Sequence, residues 1–369
     1  MSKKKVALIT RHAISNYGSL LQTIATQKVI EELGYGCDVI DYIREDENYK
    51  NVERTLLNSK KAWNNNSLKR ICYLALRQPE SYIAGKKFAK WRRENLSTTR
   101  LYKNSAELIA RKPEADIYMT GSDQVWGPVS DGSYDDSYLL SFANDSDKKI
   151  SYAASFGKTE MNAETIEYYK KWLARYQQLT VREDSAVDIL ENMGFNAKQV
   201  IDPTLLCDSK FWDTYVKDMK LGRYILIYQL HNDNRLGEYA KKVAKEMNLP
   251  LIRMSASLHQ ITREGKFLYL PDIGHFLYLI KNAECMITDS FHGTAFALNF
   301  NTDFLEVLPQ NKTGSRNISI LNLTGLSDRI VTDFSDSSLV NKKIDFSYAN
   351  KAVEEERRKS IEILKKMLC

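Results

Sequence analysis

Asp289-Ser290-Phe291-His292-Gly293-Thr294 stands where an apolar run over 285–288 gives way to a helical pattern ending near Phe300. A loop at the carboxyl end of a strand that opens into a helix presents backbone N–H groups and a positive dipole end, which suits phosphate or carboxylate. His292 adds a group able to carry charge or pass a proton near neutral pH. Gly293 permits close backbone approach, and the small residues Thr294 and Ala295 keep the first turn open. The same residues also read as plain structure, with Asp289 or Ser290 capping the helix and His292 filling a gap.

Two further polar groups sit at strand ends in the first half of the chain. Asn16 and Gly18 follow the first apolar run and precede a long helical pattern, with Arg11 and His12 beside them, so they form an anion or sugar pocket or a structural turn. No G-x-G-x-x-G accompanies them, which excludes a dinucleotide fingerprint. Ser122, Asp123 and Gln124 follow another apolar run and are expected to cap a short helix over 122–125. Asp123 reads as a base or acceptor for a sugar hydroxyl, or as an N-cap only. Trp126 offers a face on which a sugar could stack.

These residues need strands to carry them. Short β-branched or apolar runs alternate with amphipathic stretches, the pattern of βα units around a mainly parallel sheet. A first series predicts strands at 6–10, 37–43, 117–121, 150–155, 179–182 and 199–202, with helices such as 19–33, 163–176 and 184–193. A second predicts strands at 223–230, 251–254, 267–270, 285–288 and 303–307. Asp202-Pro203-Thr204 closes the first series, and 208–220 reads as a connecting helix. The expectation is a GT-B-like α/β protein with two Rossmann-like, doubly wound domains facing a cleft. Residues 1–207 form the acceptor-side domain, with a basic helical insertion over about 52–111. Residues 208–345 form the donor side, and 346–369 a helix whose apolar stripe returns to the first domain.

The 369 residues, 43% hydrophobic and 27% charged, with 21 tyrosines, describe a folded globular protein. Five scattered cysteines without a C-x-x-C pair indicate neither a disulfide framework nor a zinc site, and no cluster calls for a metal. No apolar run reaches the ~20 residues of a spanning helix, and the N-terminus lacks a signal-peptide pattern, so a cytoplasmic protein is expected. The formal charge of +6 is uneven: between Ser59 and Lys112 fourteen Lys/Arg face three Glu, with Trp63, Tyr73, Tyr82, Phe88 and Trp91 interleaved. That segment reads as a peripheral membrane contact, as a solvated face, or as an oligomer contact. Nucleic-acid binding is disfavoured for want of a recognition motif.

Asp289-Ser290-Phe291-His292-Gly293 resembles the histidine motif of the polysaccharide pyruvyl transferases. Asn16-Tyr17-Gly18-Ser19-Leu20-Leu21-Gln22, Gly121-Ser122-Asp123-Gln124-Val125-Trp126, Ile150 to Gly157, Val181-Arg182-Glu183 and Asp202-Pro203-Thr204 resemble further family segments in the same order. The resemblance implies transfer of pyruvate from phosphoenolpyruvate, as co-substrate and without a further cofactor, to sugar hydroxyls as a ketal. The setting would be exopolysaccharide, capsule or cell-wall glycan synthesis, with a sugar or lipid-linked oligosaccharide as acceptor. It implies catalytic roles for His292, Asp123 and Asp289, and donor contacts from Arg182, Ser290, Gly293, Thr294 and from Lys312 or Arg316. Acceptor contacts fall to Asn16, Gly18, Gln22, Ser122 and Trp126. Where many members carry Arg-Leu-His this chain has Ser290-Phe291-His292, so one expected cation must come from Lys312 or Arg316, or the donor is held differently. For Arg182 the other reading is an ion pair with Glu183 or Asp184. A nucleotide-sugar glycosyltransferase of the same architecture, and a non-catalytic sugar-binding relative, are the competing functions.

Overall fold

Val6-Ala7-Leu8-Ile9 is apolar at every position and fully buried, as a strand covered on both faces must be. Ile225-Leu226-Ile227 and Met286-Ile287 are buried in the same way. In the computed structural model, which describes residues 3–309 and 314–369, such runs build two parallel sheets. The chain divides into two compact units, one ending at Pro203 and taking in Ser360–Cys369, the other Thr204–Lys359. The division falls just ahead of the expected residue 207.

The first unit contains β1 (Lys5–Ile9), β2 (Gly36–Val39), β3 (Ile117–Thr120), β4 (Lys148–Ala154), β5 (Gln178–Val181) and β6 (Ala197–Gln199), in the order β2-β1-β3-β4-β5-β6. Every pairing is parallel. The second holds β7 (Ile225–Tyr228), β8 (Leu251–Ser255), β9 (Lys266–Tyr269), β10 (Cys285–Thr288) and β11 (Phe304–Glu306), in the order β11-β10-β7-β8-β9, again all parallel. Both units are Rossmann-like α/β domains, as the alternation predicts.

The C-terminal helix is Ser347–Leu368, and its last turns belong to the first unit. There Leu364, Met367 and Leu368 are buried, and the Ile201 N–H donates to Ser360 Oγ at 3.1 Å. The insertion is helical at Val52–Ser59, Lys61–Asn64, Ser67–Asn95 and Ser105–Ala110. Its long helix is fixed by Phe88 and Trp91, whose rings lie 5.1 and 5.9 Å from that of Tyr17.

Three expected elements differ. No helix forms over 122–125, because Asp123 has a left-handed φ of 80°, whereas an N-cap residue needs extended backbone. The connecting helix stops at Asp213, since the Lys217 N–H pairs with Gly274 O at 3.2 Å instead of continuing a helix. β6 sits earlier than 199–202, because Pro203 starts the next helix and Asp202 is drawn into the ion pair described below.

Candidate active site

In the first sheet the chain leaves β1 for β2 on one side, while β3 lies on the other, so the carboxyl ends of β1 and β3 flank a switch point where a crevice must open. The residues after these strands interlock there. Thr10 Oγ1 donates to Ser122 O at 2.7 Å and accepts from Gln22 Nε2 at 3.1 Å. Asn16 caps the helix Tyr17–Glu32, accepting from Ser19 N–H at 3.2 Å; Gly18 lies buried in that helix's first turn. Ser19 Oγ donates to Asp123 Oδ2, and the Gln124 N–H donates to Asp123 Oδ1 at 2.8 Å.

Arg182 lies in the same unit, buried, with Nη1 2.8 Å from Asp202 Oδ2 and Nε 3.6 Å from Glu183 Oε2. Ser122 Oγ also donates to Asp202 Oδ2, at 3.1 Å, and Ser155 Oγ donates to Glu183 Oε1 at 2.5 Å. Burial works against the Arg182 charge, but Asp202, Glu183 and Asp123 outweigh it and raise its pKa. A second buried network joins Arg11 to Glu47 at 2.6 Å, Arg44 to Glu47 at 3.1 Å and the Tyr138 hydroxyl to Glu47 at 3.0 Å. Burial acts to raise the Glu47 carboxyl, and the two arginines more than offset it, holding the group below its ordinary range.

Two expectations are corrected here. Trp126 is 2% exposed, wedged against Phe156 and Tyr176 with ring centroids 5.0 and 6.4 Å away, and its Nε1 donates to Tyr138 O at 3.3 Å; it is a core residue with no face for a sugar. Arg182 takes the ion-pair reading, with Asp202 in place of the expected Asp184 as its closest partner and Glu183 second.

The second sheet has its switch point between β7 and β10. Asp289, after β10, accepts the N–H groups of Leu230 and His231, after β7, at 2.7 and 2.9 Å, and His231 Nδ1 lies 3.2 Å from it. Both its oxygens accept backbone N–H groups of the loop after β7, so Asp289 positions that loop against the start of the following helix. Ser290 caps the helix Phe291–Phe300, accepting from Gly293 N–H at 3.2 Å. The lack of a side chain at Gly293 serves packing rather than ligand approach, since a Cβ there would meet Thr288 Oγ1 at 2.7 Å and Tyr228 Cδ1 at 3.0 Å.

His292 is buried in the first turn of that helix. The Arg316 guanidinium lies 5.9 Å from the ring centroid of Phe291, so residues from two helices, Phe291–Phe300 and Ser315–Thr324, meet beside the histidine. Lys312 lies outside the described residues.

Glu306, at the end of β11, is a member of this cluster that the motifs alone do not reveal. It is fully buried; Thr294 Oγ1 donates to Oε2 at 2.5 Å and Asn317 Nδ2 to Oε1 at 2.6 Å. Burial pushes its carboxyl up to about 8, with a smaller upward push from Asp289, while Thr294 and Asn317 act the other way. The available signal was a lone acid in the apolar run Phe304-Leu305-Glu306-Val307-Leu308, where an unpaired charge is not tolerated and a shifted pKa is expected. Glu47, another buried acid missed, had no such signal, because Glu45-Asp46-Glu47 reads as a solvated loop.

The chain can supply from its first unit a carboxylate, Asp123, set among hydroxyls, and from its second a histidine and an arginine at a helix start. Among the described residues no group of acids, histidines and cysteines could hold a metal ion, and no helix is long and apolar enough to cross a membrane.

The family model for polysaccharide pyruvyl transferase matches residues 16–308. No curated protein sequence matches significantly. Among solved structures, the chain is similar to a putative UDP-N-acetylglucosamine 2-epimerase from Listeria monocytogenes, with 12% identity, 100% of this chain and 97% of that one covered, and a TM-score of 0.54. It is also similar to S. aureus MnaA, solved with UDP (11% identity, 99% and 97% covered, TM-score 0.53), and to an alpha-glucosyltransferase solved with UDP and DNA (8%, 98% and 95%, 0.52). At these identities the likeness is one of fold, the GT-B plan of two Rossmann-like domains.

Proposed function

Given that the chain belongs to the polysaccharide pyruvyl transferase family, a family of transferases, we propose that it moves pyruvate from phosphoenolpyruvate to two hydroxyls of a sugar, forming a ketal. One hydroxyl oxygen bonds to the enol carbon as the methylene takes up a proton and becomes a methyl group. The second hydroxyl oxygen then displaces phosphate from that carbon, and the hydroxyl protons leave to a base and to phosphate. These bond changes balance with phosphoenolpyruvate as co-substrate and no further cofactor.

The observation that carries this reading is the Arg316 guanidinium lying 5.9 Å from the ring of Phe291, the first residue of the helix whose first turn holds His292. The donor bears a phosphate and a carboxylate, and each asks for a cation or for backbone N–H groups. Arg316 supplies a cation where Ser290 stands in place of an arginine, and the helix beginning at Phe291 supplies N–H groups. His292 takes the role of proton donor to the methylene. Glu306, its carboxyl pushed up to about 8 by burial, favours its uncharged form beside the donor. In the first unit, Asp123 receives a hydroxyl proton, and Asn16, Ser122 and Gln22 order the surrounding turns. We take the acceptor to be a sugar or lipid-linked oligosaccharide of an envelope glycan, modified in the cytoplasm with peripheral contact at the membrane.

The test is phosphate release from phosphoenolpyruvate with glycoside or lipid-linked acceptors. Acceptor-dependent release should fall by about 10²–10⁴-fold in His292→Ala, and Arg316→Ala should raise the KM for phosphoenolpyruvate. The reading fails if no acceptor elicits release and nucleotide-sugars, rather than phosphoenolpyruvate, raise the melting temperature.

A further inference from the structure

The long helix of the insertion, Ser67–Asn95, turns its apolar residues the wrong way for a water-facing helix. Its inward face is accounted for: Tyr73, Ala84, Gly85 and Phe88 are buried, and the Tyr73 hydroxyl donates to Glu53 at 2.7 Å. The opposite face nevertheless carries Leu68, Ile71 and Leu76, exposed at 69%, 64% and 71%, followed by Ile83 at 47%. Positions 68, 71, 72, 75, 76, 79 and 83 share one face at helical spacing, and all are exposed. Contiguous exposed apolar surface of this kind marks an interaction site.

Charge decides what covers it. Lys86 and Lys90 continue the same stripe toward the C-terminus, and Lys69 and Lys87 flank it; all four are exposed. The acids of the helix offset only one of them: Glu80 is buried and paired with Arg77, and Glu94 lies 3.6 Å from Lys90, leaving the stripe net positive. A second copy of the helix would set these cations against one another if parallel, or against the apolar half if antiparallel. An anionic bilayer satisfies both halves, with aliphatic side chains entering the acyl boundary and lysines meeting the headgroups.

We propose that the outward face of Ser67–Asn95 is a docking surface for a bilayer rich in anionic lipid. This deepens the functional reading by naming the surface that would bring the protein to lipid-linked acceptors. Its test contains neither donor nor acceptor, so it fails or stands separately from pyruvyl transfer. The full chain is cosedimented with vesicles of phosphatidylcholine alone and of phosphatidylcholine with phosphatidylglycerol. Wild type should bind the anionic vesicles at least about tenfold more tightly, and added salt should weaken that binding. L68S/I71S/L76S and K86Q/K87Q/K90Q should each remove most of it with unchanged melting temperature, as exposed substitutions allow. Equal or absent sedimentation of wild type with the two vesicle types overturns the proposal. So does a concentration-dependent dimer that the triple serine variant abolishes, which would assign the face to a second copy.

Discussion

The two sheets place polar residues at equivalent topological points, and two of their buried acids, Glu47 and Glu306, are treated in opposite ways. In the first unit three buried acids are matched by cations, Glu47 by Arg11 and Arg44, Asp202 and Glu183 by Arg182, while Asp123 is met by the Ser19 hydroxyl and the Gln124 N–H. In the second, Glu306 is met by a hydroxyl and an amide. The outcomes diverge accordingly, with Glu47 held below its ordinary range and Glu306 pushed up to about 8. Burial alone therefore does not set protonation; the charge of the partner does. A crevice of paired ions is rigid and nearly neutral, suited to ordering hydroxyls. A crevice whose carboxyl keeps its proton leaves the potential to His292, Arg316 and the helix start, suited to an anion.

The strongest way to break this contrast is to remove a cation from the first unit. Arg182→Ala leaves Asp202 and Glu183 buried without their partner and should destabilise the protein by about 3–5 kcal/mol in urea denaturation. Adding Asp202→Asn should recover part of the loss, because one of the stranded charges is then gone. Arg182→Ala with unchanged stability and a raised KM for phosphoenolpyruvate would instead make Arg182 a donor clamp, and the two crevices would no longer differ in kind.

Glu306→Gln sharpens the contrast from the other side. Folded, the carboxyl keeps its proton to about 8, against an ordinary value of 4.5. Between those values the native state binds more protons than the unfolded one, so the contribution is full below about 4.5 and is lost as pH rises toward 8. The wild-type minus variant difference in unfolding free energy should therefore decline by on the order of a few kcal/mol from pH 4.5 to 8. Parallel pH profiles for the two proteins would mean that Glu306 is ionised and paired, like Glu47.

The fold was readable because its strands are continuous apolar runs and its helices carry caps. Val6–Ile9 and Cys285–Thr288 could hardly be anything else, and Asn16 and Ser290 announce the helices they cap. Of the site, the residues that follow strands directly were legible, since position at a strand end is written in the sequence. Partnerships were not. Nothing local says that Arg182 will meet Asp202, twenty residues away, nor that Asn317 will reach back to Glu306. Trp126 was misread for the same reason: an aromatic beside polar residues looks like a sugar platform until Phe156 and Tyr176 arrive from distant segments. Asp123 defeated the helix expected at 122–125 through its own backbone, a left-handed φ that no residue pattern specifies.

Ser290 offers the finest test, because it separates a capping hydroxyl from a ligand contact within one side chain. Its Oγ accepts the Gly293 N–H, so Ser290→Ala should cost about 1 kcal/mol of stability through the lost cap. Ser290→Asp keeps an acceptor at the cap and should restore that stability. It also adds a second acidic side chain, next to Asp289, at the helix start that carries His292. Stability and donor affinity should thus part company: Ser290→Asp folds as firmly as wild type yet has a higher KM for phosphoenolpyruvate than Ser290→Ala. Equal KM values in the two variants would place the donor away from this helix start, and with it the electrostatic reason for keeping Glu306 protonated.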